Sequence, residues 1–81
     1  MELRYASHAV ERMGQRKITT ADVQQIIAKP DGVIGQTLKK SIYYKRIPKR
    51  DDNMLAIVLL ELPERMFEVI TVMNFFEARK E

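Results

Sequence analysis

The sequence predicts an α+β domain in which two N-terminal helices pack on a three- to four-stranded antiparallel sheet. Three observations predict this class. Apolar residues recur at helical spacing before Pro30, they alternate with a period of two after Gly32, and the 81-residue chain is 46% hydrophobic. A chain of this size builds one small core, so residues 1–81 are expected to form a single domain.

Two short helices are predicted at the start of the chain. The first begins at Ser7, whose hydroxyl can cap an orphan amide, and stops near Gly14. The second follows a capping box formed by Thr19 and Asp22 and is ended by Pro30. Each helix carries one apolar stripe, formed by Ala6, Ala9, Val10 and Met13 in the first and by Val23, Ile26 and Ile27 in the second.

Strands are predicted in the rest of the chain, at residues 33–34, 41–47, 54–60 and 66–73. An antiparallel meander is the simplest way to connect them. Residues 54–60 are apolar at both parities, which is typical of a central strand covered on both faces. In the last strand, alternation predicts one side formed by Phe67, Val69, Thr71 and Met73.

The second face of this sheet needs a cover, because two helices can shield only one face. One candidate is the tail 74–81, folded back as a helical turn anchored by Phe75 and Phe76. The other candidate is a second subunit. Since the tail is too short to cover a whole sheet, we expect a homodimer as readily as a monomer.

Composition excludes several classes of protein. The chain has no cysteine and a single histidine, His8, so it offers neither a disulfide nor the ligands of a zinc centre. No metal and no cofactor are therefore expected. Neither a secretory signal nor an apolar run of roughly 18 residues is present. We accordingly expect a cytoplasmic protein with no membrane partner.

Charge is distributed unevenly along the chain. Residues 1–50 contain eleven Lys and Arg against four Asp and Glu, a net charge of +7, whereas residues 51–81 contain three against seven, a net charge of −4. The basic half could attract a polyanion such as RNA, an acidic protein, or the acidic half of a second subunit. Charge alone does not distinguish these partners.

His8, Arg12 and Arg16 are spaced four residues apart, so the first two should project together from the first helix. The positive end of the helix dipole and the neighbouring guanidinium both disfavour a protonated imidazole, which predicts a neutral ring that can act as a base. The alternative is structural: a surface or capping histidine, with arginines that pair with Glu2, Glu11 or the acidic half of the chain.

A second candidate site is the basic segment around Tyr43 and Tyr44. Cations neutralise phosphates and an exposed tyrosine can stack on an unpaired base, so this composition is typical of RNA binding. An equally good interpretation is a solvated strand edge whose lysines oppose aggregation. The basic residues of the segment are Lys39, Lys40, Lys45, Arg46, Lys49 and Arg50.

The chain resembles a small uncharacterised prokaryotic domain family that opens with a His-Ala-x-x-Arg-Met helix. The residues that carry the resemblance are Ser7-His8-Ala9-x-x-Arg12-Met13-x-x-Arg16-x-Ile18-Thr19-x-x-Asp22-Val23, Pro30-Asp31-x-Val33 and Ile70-Thr71-Val72. This family is similar to the RelE/ParE-like and BrnT-like toxins of toxin–antitoxin modules, several of which bind or cut RNA. The resemblance implies a RelE/ParE-like fold and a catalytic site containing His8, Arg12, Arg16 and Thr71.

The leading hypothesis is a toxin-like protein that binds RNA or the ribosome and acts as a metal-free endoribonuclease. In this hypothesis His8 removes the ribose 2′-hydroxyl proton, Arg12 and Arg16 neutralise the phosphorane, and no general acid is assigned. The expected substrate-binding residues are Tyr44, Lys45, Lys39, Lys40 and Arg46. The alternative is a non-enzymatic dimeric interaction module whose basic half docks an acidic protein, such as an antitoxin.

Overall fold

The computed structural model describes residues 2–51 and 54–77. The described elements, in chain order, are β1 (Glu2–Tyr5), α1 (Ser7–Arg16), α2 (Thr20–Ala28), β2 (Gly32–Gly35), β3 (Lys40–Arg46), β4 (Met54–Leu62) and β5 (Met66–Met73). The five strands form one sheet in the spatial order β1-β5-β4-β3-β2. Strands β2 to β5 are an antiparallel meander, whereas β1 pairs with β5 in parallel.

The predicted architecture of two N-terminal helices on a three- to four-stranded antiparallel sheet is therefore wrong. A strand precedes the helices, and the sheet is five-stranded and mixed. Strand β1 is only four residues long, so the alternation of Leu3 and Tyr5 with charged residues is too brief to predict it. It exists because β5 provides a pairing edge, where Leu3 lies opposite Phe67 and Tyr5 opposite Val69.

Helix α1 differs from its prediction at both ends. Its N-cap is Ala6 rather than Ser7, and no side chain in the described part of the chain caps the first turn. The helix continues through Gly14 to Arg16 and ends at Lys17, whose φ of 55° is left-handed. The chain leaves a helix where a residue adopts this conformation, a role that glycine usually takes. The position of Gly14 therefore did not mark the helix end.

Helix α2 confirms the predicted capping box. The Thr19 hydroxyl accepts a hydrogen bond from the Asp22 amide at 3.1 Å, and the Asp22 carboxylate accepts one from the Thr19 amide at 3.0 Å. Val23 and Ile26, which begin the predicted apolar stripe, are fully buried. The cap thus fixes where α2 begins, and the stripe fixes which side meets the sheet.

The main core lies between the two helices and one face of the sheet. It consists of Ala9, Met13, Ile18, Val23, Ile26, Ile47, Leu55, Ile57, Leu59, Val69 and Val72. Tyr5 packs against this core, and its hydroxyl is buried with no hydrogen-bond partner among the described residues. Burial raises the pKa of Tyr5 because the phenolate would lose solvation.

The sheet face opposite the helices, called here the outer face, is also largely apolar. Ala56 and Val58 are buried there although neither belongs to the core under the helices. The tail covers one end of this face: the Phe76 amide donates to the Met54 carbonyl at 2.9 Å, and the Phe76 ring lies 5.5 Å from that of Tyr44. Residues 74–77 do not form the helical turn that was expected there. The rest of the predicted turn, 78–81, lies outside the described residues.

An irregularity in β5 changes which of its side chains share a face. Leu59 pairs with Val69 but the preceding Val58 pairs with Thr71, so Ile70 is an extra residue on β5. The predicted side formed by Phe67, Val69, Thr71 and Met73 is therefore divided at Ile70. Thr71 and Met73 follow the parity of Val58 and lie on the outer face.

Gly32 provides the space in which the Tyr44 ring sits. A β-carbon at position 32 would overlap the Tyr44 ring and hydroxyl, whereas one at Gly35 would meet no atom of the described residues within 4 Å. We expect Gly32→Ala to lower the free energy of unfolding by about 1–3 kcal/mol, because Tyr44 must leave its place against Phe76. Urea denaturation measures this loss.

The matched control is Gly35→Ala in the same strand, for which we expect a change within about 0.5 kcal/mol. In a Tyr44→Ala background the cost of Gly32→Ala should largely disappear, because the clashing ring is gone. An equal cost of Gly32→Ala in both backgrounds would contradict this packing.

Candidate functional site

His8 and Arg12 lie together on the exposed side of α1. The Arg12 Nε donates to His8 Nε2 over 3.4 Å, at the long end of hydrogen-bond distances. A ring nitrogen can accept this bond only while it is unprotonated. The pair therefore places an imidazole nitrogen beside a guanidinium cation, in the arrangement that the four-residue spacing predicts.

Arg12 is held in place by neighbours on the same helix. Its Nη1 donates to the Gln15 side chain at 3.0 Å, and the Gln15 amide donates in turn to Glu11 at 3.4 Å. Among residues 2–51 and 54–77, no carboxylate lies within ion-pair distance of Arg12. Its positive charge is therefore positioned by a neutral group and remains available to an anionic ligand.

Arg16 does not join His8 and Arg12. Its Nε donates to Asn74 Oδ1 at 3.1 Å and its Nη1 to the Val72 carbonyl at 3.3 Å, and its side chain is half-buried. Eight residues of helix separate it from His8, about 12 Å along the axis. Arg16 thus ties the end of α1 to the end of β5, and both acceptors are neutral.

A cleft of about 350 Å³, called here the Phe75 cleft, opens at the C-terminal end of α1. It is lined by Arg16, Lys17, Arg50, Asp51 and Phe75. Arg50 donates to the carbonyls of Lys17 at 2.6 Å and of Arg16 at 2.8 Å. The Phe75 residue is 64% exposed. Three cationic side chains and one acidic side chain therefore surround an accessible aromatic ring.

The sequence predicted only some of the residues that line this cleft as candidate site residues. Arg16 was predicted through its helical spacing, and Arg50 belonged to the basic segment. Phe75 was expected to anchor the tail, but its φ of 54° turns the chain, so that Phe75 lines the cleft while Phe76 packs on Tyr44. No sequence signal identified Lys17 or Asp51 as part of this site.

Most of the predicted residues on the strands lie on the sheet face opposite His8, and the other two lie on the helix side but apart from it. Strand parity and register place Lys40, Tyr44, Arg46 and Thr71 on the outer face, away from both helices. Lys45 lies on the helix side, where its Nζ is 3.9 Å from Asp31 and its side chain is 18% exposed. Lys39 lines a small cavity on that side together with Tyr43 and Leu59. The structure therefore does not assemble these residues into one site with His8 and Arg12.

A larger cleft of about 510 Å³ lies at the turn between β4 and β5. Its charged lining residues are Glu61, Glu64 and Arg65, so acidic groups outnumber basic ones. This composition disfavours a phosphate ligand. The Phe75 cleft is the better candidate for an anion.

No group of three or more histidine, cysteine, aspartate or glutamate side chains within 2–51 and 54–77 could hold a metal ion. In the same ranges, neither α1 nor α2 has the length and apolar character required to cross a membrane.

The fold and site define a small α+β domain with a cationic helix face and a basic, aromatic cleft at the end of that helix. Residues 5–74 match a domain of unknown function, DUF4258, and the chain belongs to this family. The resemblance to an uncharacterised domain family is thereby confirmed, but the match shows no link to RelE/ParE or BrnT toxins. No curated protein and no solved structure matches the chain significantly.

Proposed function

We propose that this protein binds single-stranded RNA along α1, from His8 to the Phe75 cleft. The observation that carries the proposal is the cleft itself, where Arg16, Lys17 and Arg50 surround an exposed Phe75 ring. Single-stranded nucleic acids are bound by surfaces that combine backbone neutralisation with aromatic stacking. The cleft offers both, and its volume is in the range of small-ligand sites.

Arg12 extends the binding surface along the helix. Its cation has no contact ion pair within the described residues, and it lies one helical turn from Arg16. A base stacked on Phe75 would place the adjoining phosphates near Lys17 and, further along α1, near Arg12. The bound strand would thus run beside His8, where its sugar could meet the imidazole.

Cleavage of that strand is the second step of the proposal. His8 Nε2 takes the ribose 2′-hydroxyl proton, and the 2′-oxygen attacks the adjacent phosphorus. The bond from phosphorus to the 5′-oxygen breaks, leaving a 2′,3′-cyclic phosphate and a 5′-hydroxyl whose proton comes from water. Arg12 moves from His8 to the phosphate, which frees Nε2 and stabilises the developing charge. Such an activity would be consistent with a toxin-like role.

The binding step is tested with a fluorescein-labelled single-stranded oligouridylate and fluorescence anisotropy. Phe75→Ala should weaken binding roughly fivefold to a hundredfold, the range that corresponds to loss of one stacked base. Lys17→Gln should reduce the slope of log affinity against log salt by about one phosphate contact.

Lys29→Gln is the matched control, because Lys29 occupies the equivalent C-cap position of α2, away from the cleft. It should leave both affinity and salt slope close to those of the parent. An equal loss from Lys29→Gln, or full affinity in Phe75→Ala, would overturn the proposed site.

A further inference from the structure

The outer face carries a row of residues across the sheet with charges on both sides of the central strand. In this row, called here the charged row, Lys40 on β3 lies beside Leu60 on β4, and Leu60 lies beside Glu68 on β5. Arg4 on β1 follows next to Glu68. Lys40 and Glu68 therefore flank Leu60 at equal distances of one strand spacing, about 4.8 Å.

Among the described residues, Lys40 and Glu68 are half-buried charges without a contact partner of opposite sign. Both are partly shielded from solvent, and no ion pair of either is present among residues 2–51 and 54–77. A partly buried charge loses solvation, so an unpaired one is costly unless another group comes to it. Both charges stand beside an apolar surface that the chain itself does not fully cover.

That surface is the neighbouring row, formed by Ile34, Ile42, Val58 and Thr71. Ile34 is 37% exposed, and Ile42 and Thr71 are half-buried. Phe76 and Tyr44 cover the other end of the face, so Ile34, Ile42 and Thr71 keep part of their surface accessible to a partner, whereas Val58 is buried.

We propose that a second copy of this chain packs on the outer face, with a two-fold axis that runs along β4. Rotation about such an axis places β3 of one copy opposite β5 of the other, because these two strands flank β4. Lys40 of each copy therefore faces Glu68 of the other. Leu60 and Val58 then meet their own counterparts, as a self-complementary interface requires. The product is a sandwich of two aligned sheets.

Charge selects this axis over the other face-to-face arrangement. A two-fold axis that runs along the charged row, perpendicular to the strands, would place each strand over the same strand of the other copy. Lys40 would then lie against Lys40 and Glu68 against Glu68. Like charges across an interface are strongly unfavourable. In the selected arrangement both copies of α1 remain outside the sandwich, so the interface does not depend on the RNA proposal.

Complementary charge reversal tests the interface. Lys40→Glu and Glu68→Lys should each raise the dimer dissociation constant at least about tenfold in sedimentation equilibrium, because each creates two like-charge contacts. An equimolar mixture of the two variants should form the dimer again, since position 40 of one chain then faces the opposite charge at position 68 of the other. Lys39→Glu makes the same charge change as Lys40→Glu on the helix side and should leave the dimer intact.

A parent chain that stays monomeric at about 1 mM would overturn the proposal. Two variants that fold, as judged by circular dichroism, but fail to associate when mixed would also overturn it. So would a dimer unaffected by either change. If Lys40→Glu lowers RNA affinity while the parent shows no dimer, the outer face is instead a nucleic-acid surface and the proposed interface is wrong.

Discussion

RNA cleavage by the His8→Ala variant should fall by about 10²–10⁴-fold, the contribution typical of a positioned general base. Affinity for a noncleavable RNA should stay close to that of the parent, because Arg12, Lys17 and Phe75 remain. His8 is exposed, so its removal should change the free energy of unfolding by no more than about 0.5 kcal/mol. The measurement is the rate at which the 2′,3′-cyclic phosphate appears under single-turnover conditions.

Chemical rescue distinguishes a catalytic His8 from a structural one. Alanine at position 8 leaves open space at the helix surface, where free imidazole in the buffer can take the place of the lost base. Added imidazole should therefore restore part of the cleavage rate in His8→Ala and not in Arg12→Gln.

Expression of the parent chain in a bacterial host should inhibit growth, whereas expression of His8→Ala should not. Equal cleavage by parent and His8→Ala would refute the catalytic step and leave RNA binding untouched.

In the proposed cleavage step, the hydrogen bond between Arg12 and His8 must first be broken. In the free protein Arg12 occupies the lone pair that a base must use, at a distance of 3.4 Å. A phosphate offers Arg12 a stronger, charged acceptor. In the proposed reaction, one movement of Arg12 would therefore both bind the phosphate and free His8 to act as the base, while Gln15 stays hydrogen-bonded to the guanidinium.

Local signals predicted much of the fold. The capping box of Thr19 and Asp22 located the start of α2, because both hydrogen bonds are made within one helical turn. Continuous apolar sequence placed β4 at the centre of the sheet, and its residues from Leu55 to Leu59 are buried on both faces. These features depend on neighbours in sequence, so the sequence alone contains them.

Features that depend on distant pairing were not predictable. Strand β1 is defined by β5, more than 60 residues later in the chain. The extra residue Ile70 moves Thr71 to the opposite face, although strict alternation grouped Thr71 with Val69. A bulge is a property of the paired strands, and the β5 sequence alone carries no sign of it.

The candidate site also has one part that follows from local sequence and one part that depends on tertiary structure. His8 and Arg12 come together because four residues make one helical turn, which is a local rule. The Phe75 cleft instead needs left-handed backbone at Lys17 and Phe75 and the return of Arg50 to the end of α1. Three separate segments meet there, so only the tertiary structure brings their residues together.

Replacing Ile57 by alanine should lower the free energy of unfolding by about 3–4 kcal/mol. Ile57 is fully buried at the middle of β4, where it lies between Tyr43 on β3 and Val72 on β5 and belongs to the core on the helix side of the sheet. Truncation removes three buried carbon atoms and leaves a cavity in a central strand that cannot easily collapse. A domain of this length has roughly 4–12 kcal/mol of total stability, so the variant should lose a large share of it.

Ile34→Ala is the matched control when denaturation is measured at a protein concentration low enough to keep the chain monomeric, since it makes the same chemical change at an edge strand where the residue is 37% exposed. We expect it to cost less than about 1 kcal/mol in urea denaturation, and Ile57→Val to cost about 0.5–1.5 kcal/mol. The loss in the free energy of unfolding should decrease in the order Ile57→Ala, Ile57→Val, Ile34→Ala, because less buried side chain is removed at each step. Equal losses from Ile57→Ala and Ile34→Ala would show that the core does not lie between the helices and β4.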